Sequence, residues 1–316
     1  MPTRALPKSK IQILRAKNLS AQTWLIHGFS TRTGGFSRVS RAGDLNLGFT
    51  KDDSRRAVER NRAAFLKCLR LSSARPDPFD SPAPRSGPPR AGSRGRPSLQ
   101  DSVLVTLRQI HSDIIHCIEA PPAEFLQGDG MITSTPGALL AIQTADCLPL
   151  ILVDPKHHAV GVFHAGWRGT VKRIVEKGVG EMFRRFGSRP RDLQAAIGPG
   201  IQGCCYEVGE EVREQFESQF AYAAKLFREV KESDPVREKY PLLFLSARPP
   251  GHTPPLKKLF LDLVEANRQQ LLAAGVAKKN IESLPLCTSC NIDVLFSYRA
   301  EKGKTGRLMG VAGIRN

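Results

Sequence analysis

Runs of apolar residues and their spacing mark out the elements of this 316-residue chain. LPLILVD (148–154) is almost continuously apolar, the pattern of a strand buried on both faces. Strands are also expected at 24–31 (WLIHGFST), 102–108, 113–119, 138–142 and 159–164. The first of these leads into a Gly-rich turn, RTGGFS. Helical spacing is expected over Asp53–Leu69, where Val58, Phe65, Leu66 and Leu69 share a face. From Val171 onward, Val171, Ile174, Val175, Val179, Met182, Phe183 and Phe186 form one apolar stripe, with Gly187 placed to stop the helix. Two more helices are expected over 207–220 and 261–275, the second with Asp262 near its start and Gly275 at its end. AAIGPG (195–200) reads as strand then turn, and DVLFSYR and RLMGVAGI as two closing strands around a Gly/Lys hairpin. Strands and helices mix without a βαβ rhythm or an internal repeat, which predicts an α+β or mixed-sheet α/β fold.

Residues 71–100 break this pattern. They are Pro, Ser, Arg and Gly with little apolar content, so they cannot build a core and are expected to be a disordered insertion within one domain. Over the whole chain, 41% hydrophobic and 24% charged residues describe a globular protein. No apolar stretch reaches transmembrane length, and the basic N-terminus lacks the apolar core of a signal peptide. Seven cysteines, odd in number and unevenly spread, do not read as a secreted disulfide framework. A reduced, cytoplasmic, enzyme-like protein with no membrane partner is therefore expected. The net charge of +17 is concentrated early: residues 1–70 hold 15 Lys/Arg against 4 Asp/Glu, whereas residues 101–316 hold 27 against 24. Such an excess could draw in phosphate-bearing ligands. No aromatic-interleaved basic patch or nucleic-acid motif accompanies it, so nucleic acid is not an expected partner.

The chemistry gathers around QTADCLPLILVD. Cys147 stands at the entrance to the 148–153 strand and His164 at the exit of the next. If the two strands are antiparallel neighbours, both side chains lie at one sheet edge, where His111 of RQIHSD could join them. Two readings follow. Cys147 could be a thiolate nucleophile activated by a histidine, with Asp146 orienting it. Alternatively, two imidazoles and a thiolate could bind zinc and leave a fourth position open. AGWRGT beside His164 offers Arg168 and a helix start as a cradle for phosphate. Arg32, in RTGG, and Asn46, in DLNLG, are further candidates for holding a polar substrate. Cys204-Cys205 and Cys287-x-x-Cys290 are expected to serve a structural or packing role, and Cys68 and Cys117 read as core; His157 and His158 belong on the surface.

Together, HGFSTRTGGFS, LNLG, RQIHS, QTADCLPLIL, HAGWRGT, AIGPGIQGCCYEVG, FLDLVEANRQQLLAAGV, CTSCN, FSYR and TGR resemble the YfiH family. This is the multicopper-polyphenol-oxidase (laccase-domain) family, also called the peptidoglycan-editing factor family. The resemblance implies a compact single domain of mixed β-sheets with flanking helices over residues 20–316, with 71–100 inserted beyond the family pattern. It implies a zinc site, which copper could also fill, with ligands falling on His111, Cys147 and His164. The implied activity is phosphorolysis of purine nucleosides (adenosine, inosine, methylthioadenosine) by inorganic phosphate, with some adenosine deamination. Arg168, Arg32, Asn46 and Asp146 would then bind phosphate or substrate. Seven histidines cannot build the several copper sites of a blue oxidase, so a laccase mechanism is not expected. The remaining alternatives are amide hydrolysis of misassembled peptidoglycan precursors and a non-catalytic metal or redox module using Cys287 and Cys290.

Overall fold

Four layers organise the chain: a helix, a sheet, a second sheet and a set of helices. The computed structural model describes residues 10–73, 103–231, 233–244 and 257–315. In chain order, β1 (Ile13–Leu14), β2 (Leu25–Ser30) and β3 (Thr33–Ser37) precede α1 (Arg55–Ser73). Six strands follow: β4 (Val103–Thr106), β5 (Ile115–Cys117), β6 (Gly130–Thr133), β7 (Ala138–Thr144), β8 (Leu148–Asp154) and β9 (Ala159–Ala165). Then come α2 (Trp167–Val171), α3 (Ile174–Phe186), β10 (Gln194–Ile197), β11 (Glu207–Val208), α4 (Glu210–Gln219) and β12 (Phe227–Lys231). The chain continues through α5 (Pro235–Lys239), β13 (Lys257–Leu261), α6 (Leu263–Ala273), β14 (Ile281–Ser283) and β15 (Leu308–Ile314).

One sheet has the order β1-β2-β15-β7-β4 and the other β14-β10-β8-β9-β6-β5, with β11-β13-β12 as a small third sheet. Side-chain alternation along β8 explains its unbroken apolar run. Ile151 and Val153 join Phe29, Leu140, Ile142 and Ala312 of the first sheet in one core. Leu148, Leu150 and Leu152 join Ile174, Val175 and Val179 of α3 and Leu271 of α6 in another. On the far side, Phe65 and Leu69 of α1 cover Ile26, Leu139 and Val311. The central strands of the middle layers, such as β7, β8, β9 and β15, are thus buried on both faces, which is what a four-layer arrangement requires. The result is a mixed α+β fold in a single domain. No described helix is long and apolar enough to cross a membrane.

Several elements differ from expectation. RTGGFS is not a turn but contains β3, because an added Cβ at Gly35 would fall 2.2 Å from the Asp44 carbonyl oxygen. Glycine here permits close backbone approach rather than a reversal. The stripe from Val171 is split between α2 and α3 by Arg173, which takes a left-handed conformation at φ 63°. Gly187 ends α3 in the left-handed conformation, as expected. Of 207–220, the first two residues pair as β11 with β13, and the helix begins after Gly209. DVLFSYR is not a strand: its Leu295 and Phe296 pack with Leu308 in a separate small cluster. Cys68 and Cys117 are only partly buried. Of the expected insertion, 71–73 belong to α1 and the rest lies outside the described residues.

Candidate active site

β8 and β9 are antiparallel, with Pro149 opposite His164 and Leu148 opposite Ala165. That register brings Cys147, one residue before β8, beside His164 at the end of β9. His111 arrives from the loop after β4, held at φ 57°. The ligand atoms of His111, Cys147 and His164 all lie within 4.8 Å of one another. Cys147 Sγ is 3.9 Å from His111 Nε2, and the two imidazole rings meet edge-on with centroids 4.9 Å apart. Room for an ion is preserved by Gly166, where an added Cβ would come 2.8 Å from Cys147 Sγ and 3.3 Å from His111 Cδ2.

Asp129 organises this trio. Its Oδ1 is 2.7 Å from His164 Nδ1 and accepts the His111 backbone N–H, while its Oδ2 accepts from the Ser112 N–H and hydroxyl. Both histidines are therefore set by one carboxylate. Burial pulls the Asp129 carboxyl upward, but the His164 and Ser112 hydrogen bonds outweigh it and hold the group well below the usual carboxylate range. At Cys147 burial again opposes ionisation, yet His164 and then His111 bring the thiol down to about 6. Burial lowers the His164 pKa, and the Cys147 thiolate and Asp129 outweigh it, raising the group to about 9. The pair is thus a thiolate beside an imidazolium, and once His164 gives up that proton the thiolate and two histidines, one of them carboxylate-anchored, form a donor set that fits a borderline-soft ion such as zinc.

The trio lies in a cleft of about 670 Å³ with both cationic and aromatic walls. Arg168, Arg299 and Arg307 line it, as do Trp167, Tyr206 and Tyr298. The Arg168 guanidinium lies 4.4 Å over the Trp167 ring. Arg168 belongs to the five-residue α2, too short to supply much of a helix dipole, so its own charge is what it offers an anion. Burial and the Cys147 charge hold the Tyr206 hydroxyl protonated, leaving it able to donate a hydrogen bond.

Three of the other expected residues stand elsewhere or act differently. Arg32 does not reach the cleft. Its side chain is 1% exposed, paired with Asp44 at 3.0 Å and Glu301 at 3.1 Å, and stacked under Phe296. Asn46 is also buried. It donates to Asp53, and its Oδ1 accepts from the Gly48 and Arg307 backbones, so it touches the cleft only through Arg307. Asp146 lines the cleft, but its carboxylate is taken by the Thr288 hydroxyl (2.6 Å) and the Arg299 backbone N–H (2.6 Å). It braces a strained turn, φ 91°, rather than either histidine. Asp129 was not singled out, because GDG reads as an ordinary turn; its one signal is an acid framed by glycines ahead of a short strand. Arg299 and Arg307 stand in FSYR and TGR, motifs that carried the resemblance without an assigned role.

The family described as multi-copper polyphenol oxidoreductase laccase matches residues 26–76 and 93–315. The chain belongs to this family. One relative, a purine nucleoside phosphorylase of Deinococcus radiodurans, is 36% identical over 305 residues, 96% of this chain and 93% of that protein. Adenosine deaminase RL5, from an unknown prokaryotic organism, is 36% identical over 179 residues, 57% of this chain and 59% of that protein. Among solved structures, the hypothetical protein YfiH of Bacillus licheniformis superposes with a TM-score of 0.71 at 30% identity, covering 92% of this chain and 93% of that one. The laccase-family name notwithstanding, His27, His116, His157 and His158 are engaged with Ala16, Gln127, Asp154 and Trp24, apart from the trio.

Proposed function

We propose that this cleft catalyses phosphorolysis of purine nucleosides, among them adenosine, inosine and methylthioadenosine, with adenosine deamination as a side activity. The observation that carries the reading is a His111–Cys147–His164 donor set facing arginines and aromatic rings in one cleft. His111, Cys147 and His164 would hold zinc, which when bound supplies Lewis acidity. Arg168 holds inorganic phosphate against the sugar through its guanidinium fork. A phosphate oxygen then bonds to the anomeric carbon as the glycosidic C–N bond breaks. The base leaves with the electron pair and takes its proton from solvent, while the Tyr206 hydroxyl, which lines the cleft and is held protonated, is available to donate a hydrogen bond to it. Trp167, Tyr206 and Tyr298 offer ring faces to a purine. Names borne by the relatives support the same substrate class. The need for a reduced thiol at Cys147 supports a reducing compartment such as the cytoplasm.

The test is a product assay on zinc-loaded protein incubated with adenosine, with and without phosphate. Adenine formed only with phosphate supports phosphorolysis, and inosine formed regardless of phosphate supports deamination. Absence of both products would overturn the proposal. Arg168→Ala is expected to raise the KM for phosphate about tenfold or more while leaving deamination less affected, as loss of a charged contact worth about 1.4 kcal/mol would do. Equal loss of both reactions would count against a dedicated phosphate role.

A further inference from the structure

Four sulfurs take no part in the cleft chemistry. Cys204 and Cys205 lie in the turn after β10, where the Cys205 and Tyr206 N–H groups both donate to the Gln202 carbonyl at 2.9 Å. Cys287 and Cys290 lie in the turn after β14, where the Asn291 N–H donates to the Cys287 carbonyl at 3.1 Å. The two turns face each other, fastened by the Thr288 N–H to the Gly200 carbonyl at 3.1 Å. All four sulfurs lie within 4.8 Å of one another. Cys290 Sγ is 3.3 Å from Cys205 Sγ and 3.5 Å from Cys204 Sγ.

These spacings discriminate between roles. A disulfide needs about 2.05 Å between sulfurs, so neither pair is bonded. Zinc–sulfur bonds of about 2.3 Å in a tetrahedron place the sulfurs roughly 3.8 Å apart, inside the observed range. An iron–sulfur cluster holds its thiolates further apart than this. Hydrophobic packing does not account for the group, because Cys204 and Cys290 are exposed and only Cys287 is buried. The buried Cys287 sulfur is approached by the backbone N–H groups of Gln202 and Cys290, donors that suit a thiolate.

We propose that Cys204, Cys205, Cys287 and Cys290 bind one zinc ion as a closed four-thiolate site, separate from the His111–Cys147–His164 centre. Binding breaks four S–H bonds, releases four protons and forms four Zn–S bonds, with no oxidant or reductant required. The ion clamps two turns, one of which supplies Tyr206 to the cleft while the other braces Asp146. Cys287 adjoins Thr288, whose hydroxyl holds Asp146 beside Cys147, and Cys205 adjoins Tyr206. The clamp is thus structural, and its effect on the cleft is one of position.

The test is the zinc content of the full reduced chain, together with the absorption spectrum after cobalt substitution. Wild type is expected to hold about two zinc equivalents, and Cys290→Ser about one, with the intense sulfur-to-cobalt band of a four-thiolate site largely lost. His164→Ala is expected to keep that band while losing the other equivalent, which separates this site from the cleft. Should Cys290→Ser fail to fold, the wild-type stoichiometry and spectrum decide alone. One equivalent in wild type with all seven thiols titratable in denaturant would overturn the proposal in favour of free cysteines. Two fewer titratable thiols would overturn it in favour of a disulfide.

Discussion

Asp129 shows how much a single carboxylate can settle. It fixes the His164 ring, the His111 backbone and Ser112 together, so its loss should loosen both candidate histidine ligands at once. Asp129→Asn is expected to weaken zinc binding roughly 10- to 100-fold, measured by competition with a chelator while circular dichroism confirms the fold. Unchanged affinity would show that Asp129 merely holds its loop. His27 is a second buried residue with a measurable consequence. Burial, and then the Arg15 charge, hold it neutral and lower its pKa from 6.5 to about 4. The unfolded chain therefore takes up a proton below pH 6.5 that the folded chain refuses until about pH 4. Stability is lost as pH falls through that window, by roughly 3 kcal/mol in all. Urea midpoints of wild type should fall more steeply between pH 7 and pH 4 than those of His27→Gln; parallel curves would rule the residue out. Arg32 marks the limit of reading residues singly. An arginine in a glycine-rich segment suggests an anion site, and only folding reveals that Asp44 and Glu301, distant in sequence, have already claimed it.

Elements were legible in proportion to their length and regularity. β8, β9, α1 and α6 announce themselves by long apolar patterns, whereas β6 and β11 span too few residues to show any period. DVLFSYR carries a strand-like apolar pair that is spent instead on packing around Arg32 and Gly306. Arg55, Arg60 and Arg62 of α1, part of the early positive charge, lie over Phe36 and Phe49 and so serve a packing role. Helix α3 offers a paired test at the level of one element. Gly178 presses on β9, where an added Cβ would meet Phe163 at 2.4 Å, while Gly180 has nothing within 4 Å. Phe163 is fully buried and cannot yield, so Gly178→Ala should cost about 1–3 kcal/mol despite better helix propensity. Gly180→Ala should instead stabilise by up to about 1 kcal/mol. Thermal melts of both variants check the opposite signs, and a stabilising Gly178→Ala would show that α3 can slide on the sheet.

At the scale of the whole molecule, fold class and trio were readable for one reason. A core buried on both faces forces long apolar strands, and the ends of two adjacent strands deliver Cys147 and His164 to a common edge. What stayed hidden depends on pairing between segments far apart in sequence, as between Thr288 and Asp146, 142 residues apart, or between the two cysteine turns, 85 residues apart at Cys205 and Cys290. The connection from α1 to β4 belongs to neither class. The family match stops at residue 76 and resumes at 93, so 77–92 lie beyond the shared pattern. The cleft, the trio and all three sheets are built from residues outside that span. Removing 77–92 roughly halves the connection between Ser73 and Val103, and halving a loop is worth only about 0.6 kcal/mol in closure entropy. The shortened protein is therefore expected to match the full chain in melting behaviour to within that small increment, and in zinc content and nucleoside turnover. Loss of solubility or of turnover would show instead that residues 77–92 cover part of the body, and the family core would then not suffice for this chain.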